Sequence, residues 1–152
     1  MSKKLKTNNM KKISNSQNMD NSEDEEISIS FKFITNNSKY NFDFFKNCQK
    51  DEKSTCLNGF FKRIFEANKV SWKHSLSLTK TAPCGLETIY YSQLRFESTT
   101  NELNKASKIY VMRFDTHKGS NEGRIIGFKR KNNPTFYIIG LDFNHNAYDH
   151  GS

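Results

Sequence analysis

The sequence predicts an α+β fold, in which a small antiparallel sheet packs against an amphipathic helical segment. Two observations carry this prediction. Three apolar runs separated by turn residues lie near the C-terminus, and a Phe-rich stretch around residues 54–69 repeats its apolar residues at helical spacing. An alternating run at residues 27–34 adds an N-terminal strand. Strands and helix occupy separate parts of the chain, which is typical of an α+β domain.

The C-terminal runs predict a three-stranded meander. Its strands are KIYVMRFD (108–115), GRIIGFKRK (123–131) and TFYIIGLDF (135–143). A flexible loop, THKGSNEG, is expected between the first two. Asn132 and Asn133 precede Pro134 and predict a tight turn, because Asn tolerates a positive φ. The last strand is apolar on both faces, which indicates a central or doubly covered strand.

The segment STCLNGFFKRIFEANK predicts the clearest helix. Its apolar stripe recurs at i, i+3, i+4, i+7 and i+8 and consists of Leu57, Phe60, Phe61, Ile64 and Phe65. Ser54 or Thr55 is the expected N-cap. Trp72 and Leu76 extend the stripe, so either the helix continues or a second one follows. The stripe is expected to be a core face.

Two other segments leave their structure open. KYNFDFFKN (39–47) is either the opening of a helix or an irregular aromatic anchor. Pro83 and Gly85 indicate a loop at TAPCG (81–85), and ETIYYSQLRFES (87–98) is either a strand or a short helix.

Charge divides the chain into a disordered tail, residues 1–26, and one α+β domain, residues 27–152. The tail carries five lysines and five acids, so the whole formal net charge of +8 belongs to residues 27–152. Such a surplus attracts polyanions. Three interpretations of the charge remain open. The partner is nucleic acid or the ribosome, the partner is an acidic protein, or the charge has no specific meaning, since many small proteins are basic without a specific reason.

The cysteines indicate a reducing compartment. Cys48, Cys56 and Cys84 are odd in number and form no CxxC pair. No apolar run approaches membrane-spanning length, and the lysines at the N-terminus are not followed by a signal-peptide core. We therefore expect a cytoplasmic protein without membrane contact. No glycine-rich phosphate loop occurs, and no cofactor is expected.

Basic side chains of the meander are candidate phosphate ligands. Arg113 and Arg124 lie within strands, where a guanidinium needs an exposed face or an anionic partner, and Arg offers forked donors to phosphate. Lys129, Arg130 and Lys131 at the hairpin are a second, looser nucleic-acid contact. The alternatives are a structural ion pair for either arginine and a solvated face for the hairpin cations.

Two residues after the last strand are candidates for proton transfer. His145 has the residue type that exchanges protons near neutral pH, and Tyr148 can orient a 2′-hydroxyl or stack on a base. With the arginines, they suit metal-free RNA cleavage. The alternative is a surface or capping His with a packing Tyr.

Metal and cysteine chemistry are weaker alternatives. A metal site would use Asp142, His145, Asp149 and His150, with His117 as a further ligand. His-x4-His spacing is common by chance, so we expect no metal. Cys84 has no identifiable partner His and is not expected to be a nucleophile.

The segments YVMRF, GRIIGF and YIIGLDFNHNAY, in this order after a strand and a helical region, resemble the RelE/ParE-type toxin superfamily of bacterial toxin–antitoxin modules. The resemblance implies an endoribonuclease that acts on mRNA at the ribosome by metal-independent transesterification and has an antitoxin partner. By likeness, Arg113 and Arg124 are the sheet-borne cations, and His145 and Tyr148 the terminal pair. Two further functions stay open. One is a non-catalytic protein of phage or mobile-element type that binds nucleic acid or inhibits a host complex, and the other is a gyrase-type inhibitor.

Overall fold

A computed structural model of the chain describes residues 20–149 and confirms the α+β class. The strands are β1 (Ser28–Ser30), β2 (Leu86–Tyr90), β3 (Lys108–Thr116), β4 (Gly119–Lys129) and β5 (Thr135–Asp142). They form one sheet in the order β1-β5-β4-β3-β2. β1 runs parallel to β5, and all other neighbours are antiparallel. The predicted meander is confirmed, and β2 extends it at one edge.

Two α-helices, α1 (Lys50–Ala67) and α2 (Trp72–Ser77), pack on one face of this sheet. Short 3-10 helices span Asn21–Asp24, Phe42–Asn47 and Tyr91–Gln93. The core between helices and sheet centres on Phe60, Trp72 and Phe114, all buried. Across residues 20–149, no helix combines the length and apolar character needed to cross a bilayer.

The opposite face of the sheet is covered as well. Tyr40 stacks on Phe96, with ring centroids 4.9 Å apart, and both rings pack with Tyr148 over the strands. The prediction that a helix covers one face is confirmed, but it missed this second layer. β5 is therefore buried on both faces, as its continuous apolar run predicted.

The N-terminal strand is shorter than predicted. The expected strand spans residues 27–34, whereas β1 ends at Ser30 and the chain then turns, with Ile34 N donating to Phe31 O. Phe31 and Phe33 therefore lie on opposite faces of the sheet. Phe31 is 40% exposed on the helix side, and Phe33 packs in the core on the other side. The prediction that residues alternate between the two faces is wrong beyond Ser30, because the chain turns there and no longer follows strand geometry.

α1 begins one turn before the predicted start. Its N-cap is Gln49, which makes no side-chain cap bond, so neither Ser54 nor Thr55 caps the helix. Trp72 belongs to the separate helix α2, which Ser71 caps through its side chain.

The predicted apolar stripe of α1 is only partly a core face. Phe60 and Ile64 are buried, but Phe61 and Phe65 are 46% and 61% exposed. The helix is turned so that Gly59 meets the backbone of β3. A Cβ on Gly59 would lie 1.9 Å from the carbonyl oxygen of Asp115.

The two hairpins have different outcomes. The predicted turn at Asn132 is confirmed, with a φ of 58°. The predicted flexible loop at residues 116–123 is wrong, because β4 already begins at Gly119 and pairs with Thr116. Gly119 has a φ of 142°, a conformation that residues with a Cβ rarely adopt, which permits this tight connection.

The acidic end of the predicted tail packs against the domain. Asp20 bonds to Lys129, and Glu26 forms an isolated bridge with Ser71. Residues 20–149 therefore carry 19 basic and 16 acidic side chains, a net charge of +3. The rest of the predicted tail, residues 1–19, lies outside the described residues.

We expect Gly59→Ala to lower the free energy of unfolding by about 2 kcal/mol or more, because the new methyl group meets the rigid β3 backbone. The intrinsic helix preference of Ala acts in the opposite direction. Urea denaturation measures the change. Asn58→Ala, on an exposed position of the same helix, is the matched control and should change stability little. Equal stability of the two variants would contradict this packing.

Candidate active site

The structure brings the four predicted catalytic residues to one end of the sheet. Arg113 on β3 lies directly opposite Arg124 on β4, and Arg124 lies opposite Asp142 on β5. β5 ends at Asp142, so the segment with His145 and Tyr148 begins beside both arginines. Two guanidinium groups in adjacent positions repel each other and need anionic or dipolar partners.

Arg124 is the buried centre of this group, with only 1% of its surface exposed. Its Nη1 donates to the carbonyl oxygens of Asn121 and Gly123. Its Nη2 lies 3.2 Å from Nε2 of His145. The side chain thus ties the start of β4 to the segment that follows β5.

His145 bridges a cation and an anion. Its Nδ1 lies 2.9 Å from Oε2 of Glu122, on the other side from Arg124. A guanidinium only donates, so Nε2 accepts from Arg124, and the neutral imidazole carries its proton on Nδ1. The hydrogen bond with His145 holds the pKa of Glu122 below its usual value. The imidazole remains 31% exposed and is accessible to a ligand.

Arg113 and Tyr148 share a second carboxylate. Tyr148 donates its hydroxyl to Oε2 of Glu87 over 3.2 Å, and Nη2 of Arg113 lies 3.6 Å from the same oxygen. Lys80 approaches the other oxygen at 3.7 Å. Burial and the charge of Glu87 raise the pKa of Tyr148 to about 12. Tyr148 therefore keeps its proton at neutral pH and cannot act as a base there.

Asp142 shapes the turn that presents His145. Its two carboxylate oxygens accept from the backbone N–H groups of Asn144 (3.1 Å) and Ala147 (2.8 Å). Arg95 then holds the outside of the turn through the carbonyl oxygens of Asn146 and Ala147. Asp142, which the metal alternative named as a ligand, is therefore a buried cap of backbone N–H groups.

This end of the sheet carries features that cost stability. His145 has a φ of 59°, in the left-handed region that few residues other than Gly adopt, although His, Asn and Asp do so more often than the rest. The buried Nε atoms of Arg113 and Arg124 have no hydrogen-bond partner among the described residues. Each such donor costs about 1–3 kcal/mol. Strain and unmet donors that collect at one place are typical of functional sites.

The predicted nucleic-acid contacts lie at the other end of β4. In the register of β4 with β5, Arg124 is opposite Asp142 and Lys129 is opposite Phe136. Arg124 and Lys129 are five positions apart on β4, which corresponds to about 17 Å at 3.3–3.4 Å per residue. Lys129, Arg130 and Lys131 join Lys108 around a shallow cavity of about 430 Å³. We call these four cations the basic surface.

Only part of the basic surface is available to a ligand. Nζ of Lys129 bonds to Asp20 at 2.6 Å and is largely buried. Arg130 pairs with Glu102, which lowers the pKa of that carboxyl, and stacks 4.5 Å above the ring of Tyr137.

The remaining cations of the basic surface are exposed. Among residues 20–149, Lys108 and Lys131 have no side-chain hydrogen bond or ion pair. These two lysines are the accessible charges at this end of the sheet.

The alternative residues for metal and thiol chemistry are engaged elsewhere. His117 bonds through Nδ1 to the sulfur of Cys56 at 3.1 Å, and burial raises the pKa of that thiol. Burial also raises the pKa of Cys84. Within residues 20–149, no group of three or more His, Cys, Asp and Glu side chains is arranged for a metal ion. His150 lies outside these residues.

Sequence reasoning missed both carboxylates of the site. Glu122 stands two residues before Arg124 and was assigned to a flexible loop, and Glu87 lies in a segment of undecided structure. The mixed sequence GSNEG gave no strand signal. The extended strand β4 places Glu122 and Arg124 two residues apart, on the same face.

The contact between Asp20 and Lys129 makes docking of residues 20–26 dependent on pH. Burial raises the pKa of Asp20, but hydrogen bonds from Lys129 and Ser22 outweigh it and hold the pKa far below 3.8. A lowered pKa stabilises the folded form above pH 4, and this contribution is lost as the pH falls further. Below pH 4 we expect lower protection factors at residues 20–26, that is, amide exchange closer to the intrinsic rate at the same pH. Asp20→Asn should show this loss of protection at pH 7, and Asp43→Asn, at an exposed pair, should not. Slow exchange in Asp20→Asn would contradict this role.

Comparisons with known proteins give no relative from which a role could be transferred. No protein-family model matches the chain, and neither curated proteins nor solved structures gave a match. The resemblance to the RelE/ParE superfamily stays a prediction.

Proposed function

We propose that the protein is a RelE-like endoribonuclease that cleaves mRNA at the ribosome by metal-independent transesterification. One observation carries the proposal: the partly exposed imidazole of His145 lies between the carboxylate of Glu122 and the buried guanidinium of Arg124. A carboxylate that fixes the tautomer of a histidine beside a cation is suited to proton transfer next to a phosphate.

The reaction begins when RNA replaces an internal contact. A phosphate is a stronger acceptor for Arg124 than a neutral imidazole, because both partners of the new bond are charged. Nε2 of His145, which no longer accepts from Arg124, then takes the proton of the 2′-hydroxyl. The 2′-oxygen attacks the adjacent phosphorus, the bond to the 5′-oxygen breaks, and the leaving oxygen takes a proton from water. The products carry a 2′,3′-cyclic phosphate and a 5′-hydroxyl.

The other residues have positioning roles in this mechanism. Glu122 accepts a hydrogen bond from Nδ1–H of His145 and stabilises the imidazolium that forms. Tyr148 stays protonated and holds Glu87, which in turn fixes Arg113 beside Arg124. Of the four candidate catalytic residues, this mechanism assigns direct contact with the RNA to His145 and Arg124. Arg113 and Tyr148 position them.

We expect His145→Ala to lower single-turnover RNA cleavage by about 100-fold or more, because the group that accepts the 2′-proton is lost. Stability should fall by about 1–3 kcal/mol, since Nη2 of the buried Arg124 loses its acceptor, so the rates are compared at a temperature at which both proteins are folded. Gel analysis of end-labelled RNA in the presence of EDTA measures the rate. His74→Ala, at an exposed histidine on α2, is the matched control.

Two results would contradict the nuclease proposal. One is cleavage by the His145→Ala variant at the wild-type rate, and the other is unchanged cleavage of an RNA whose reacting 2′-hydroxyl is replaced by hydrogen.

A second candidate function is nucleic-acid binding without cleavage. The basic surface favours it, because Lys108 and Lys131 are exposed cations beside one cavity. Phosphates attract such side chains irrespective of base sequence. The two functions use opposite ends of β4 and can be tested separately.

For the basic surface, we expect Lys108→Glu with Lys131→Glu to weaken RNA binding and flatten its salt dependence. Each lost phosphate contact on a single strand lowers the slope of log affinity against log salt by about 0.7. A salt titration followed by fluorescence anisotropy measures both effects. Lys50→Glu with Lys53→Glu, at exposed positions of α1, is the control with the same change in net charge. Equal slopes for the two double variants would exclude the basic surface as the binding site.

A further inference from the structure

Four exposed phenylalanine rings form two pairs, one on α1 and one on the chain before it. These rings, which we call the aromatic ridge, are Phe31, Phe42, Phe61 and Phe65, each at least 40% exposed. The ring centroids of Phe31 and Phe42 are 6.0 Å apart, and those of Phe61 and Phe65 are 6.3 Å apart with nearly parallel planes. Buried Phe60 joins both pairs. Contiguous exposed apolar groups of this kind mark interaction sites, unlike single exposed side chains.

The charges around the ridge are arranged for a polyanion. Lys62 lies three residues before Phe65 on α1, so the two side chains are neighbours on the helix surface. Lys69 lies in the turn that directly follows the end of α1. Both lysines are exposed, and neither has a side-chain hydrogen bond or an ion pair within residues 20–149.

The neighbouring acids, in contrast, are neutralised. Glu66 pairs with Arg63 at 3.2 Å, and Asp43 pairs with Lys46 at 3.1 Å. The charge left for a partner of the ridge is therefore positive.

We propose that the aromatic ridge binds single-stranded RNA, with bases stacked on the exposed phenylalanines and phosphates on Lys62 and Lys69. Phenyl rings and lysines that alternate on a surface are the recurring elements of single-strand binding, and stacking tolerates every base. Bases in a duplex are already stacked on each other and do not offer their faces. This inference rests on the RNA substrate proposed above, but not on cleavage.

Charge also argues against two other occupants. In a two-fold contact between copies of this chain, the same patch meets itself, so a surface of positive charge would meet an equal positive charge. A neutral apolar protein surface would leave these lysines without a partner. A polyanion with flat apolar groups satisfies the rings and the lysines together.

The test measures the affinity of the full chain for a 2′-O-methyl oligouridylate of 12 nucleotides, which cannot undergo transesterification. Fluorescence anisotropy compares it with a duplex of the same length. We expect the single strand to bind at least about tenfold more tightly, and Phe65→Ala to weaken its binding about tenfold, as the loss of one stacked base implies. Phe65→Leu should be similarly weak, since it keeps the apolar contact and loses the flat ring. Leu76→Ala, an exposed apolar residue of α2 outside the ridge, is the control.

Several outcomes would overturn the proposal. They are equal affinity for single strand and duplex, wild-type binding by Phe65→Ala, and wild-type binding by Phe65→Leu, which indicates a purely apolar contact. A change of sedimentation in Phe61→Ala with Phe65→Ala, without a change in RNA affinity, would instead assign the ridge to self-association. The probe cannot be cleaved, so the binding test is independent of the nuclease test. If ridge variants lose binding but the wild type does not cleave RNA, the nuclease proposal fails and this inference stands. If ridge variants bind normally but the wild type cleaves RNA in a way that depends on His145, this inference fails and the nuclease proposal stands.

Discussion

The burial of the Arg124 guanidinium is the constraint on which one end of the sheet depends. A charge with 1% exposure has to be compensated by oriented dipoles and hydrogen bonds, because removal from water is costly. Two backbone carbonyls at the start of β4 and the imidazole of His145 supply them. His145 in turn needs Glu122, and its left-handed backbone needs the turn that Asp142 caps. One buried cation thus organises the segments on both sides of it.

The same network explains how a site can be both structural and chemical. The hydrogen bonds of Arg124 to Asn121, Gly123 and His145 go to two carbonyl oxygens and an imidazole nitrogen, and among residues 20–149 its guanidinium has no ion pair with a carboxylate. Glu122 acts one step away, through the imidazole. Arg113, by contrast, meets Glu87 directly. The two arginines that the sequence treats alike therefore differ in their anionic partners, and this difference supports the proposed role of Arg124 as the phosphate ligand.

Charge and exposed aromatic groups mark two further regions of the surface. Asp20 occupies Lys129, so the basic surface offers fewer exposed cations than the sequence indicates. The aromatic ridge includes Phe61 and Phe65, which helical spacing assigned to the core. In the structure, α1 turns Gly59 towards the backbone of β3 and leaves these two rings in water.

The sequence by itself determined the α+β class, the three C-terminal strands and the turn at Asn132, because these depend on local alternation and turn chemistry. It also selected Arg113, Arg124, His145 and Tyr148, which the fold brings together. Only the tertiary structure decided their partners, since Glu87 and Glu122 reach the site from segments without a strong pattern. Only the tertiary structure decided which rings of the α1 stripe are buried. The apolar stripe is wider than the surface of the helix that contacts the sheet, so some of its rings stay exposed to water.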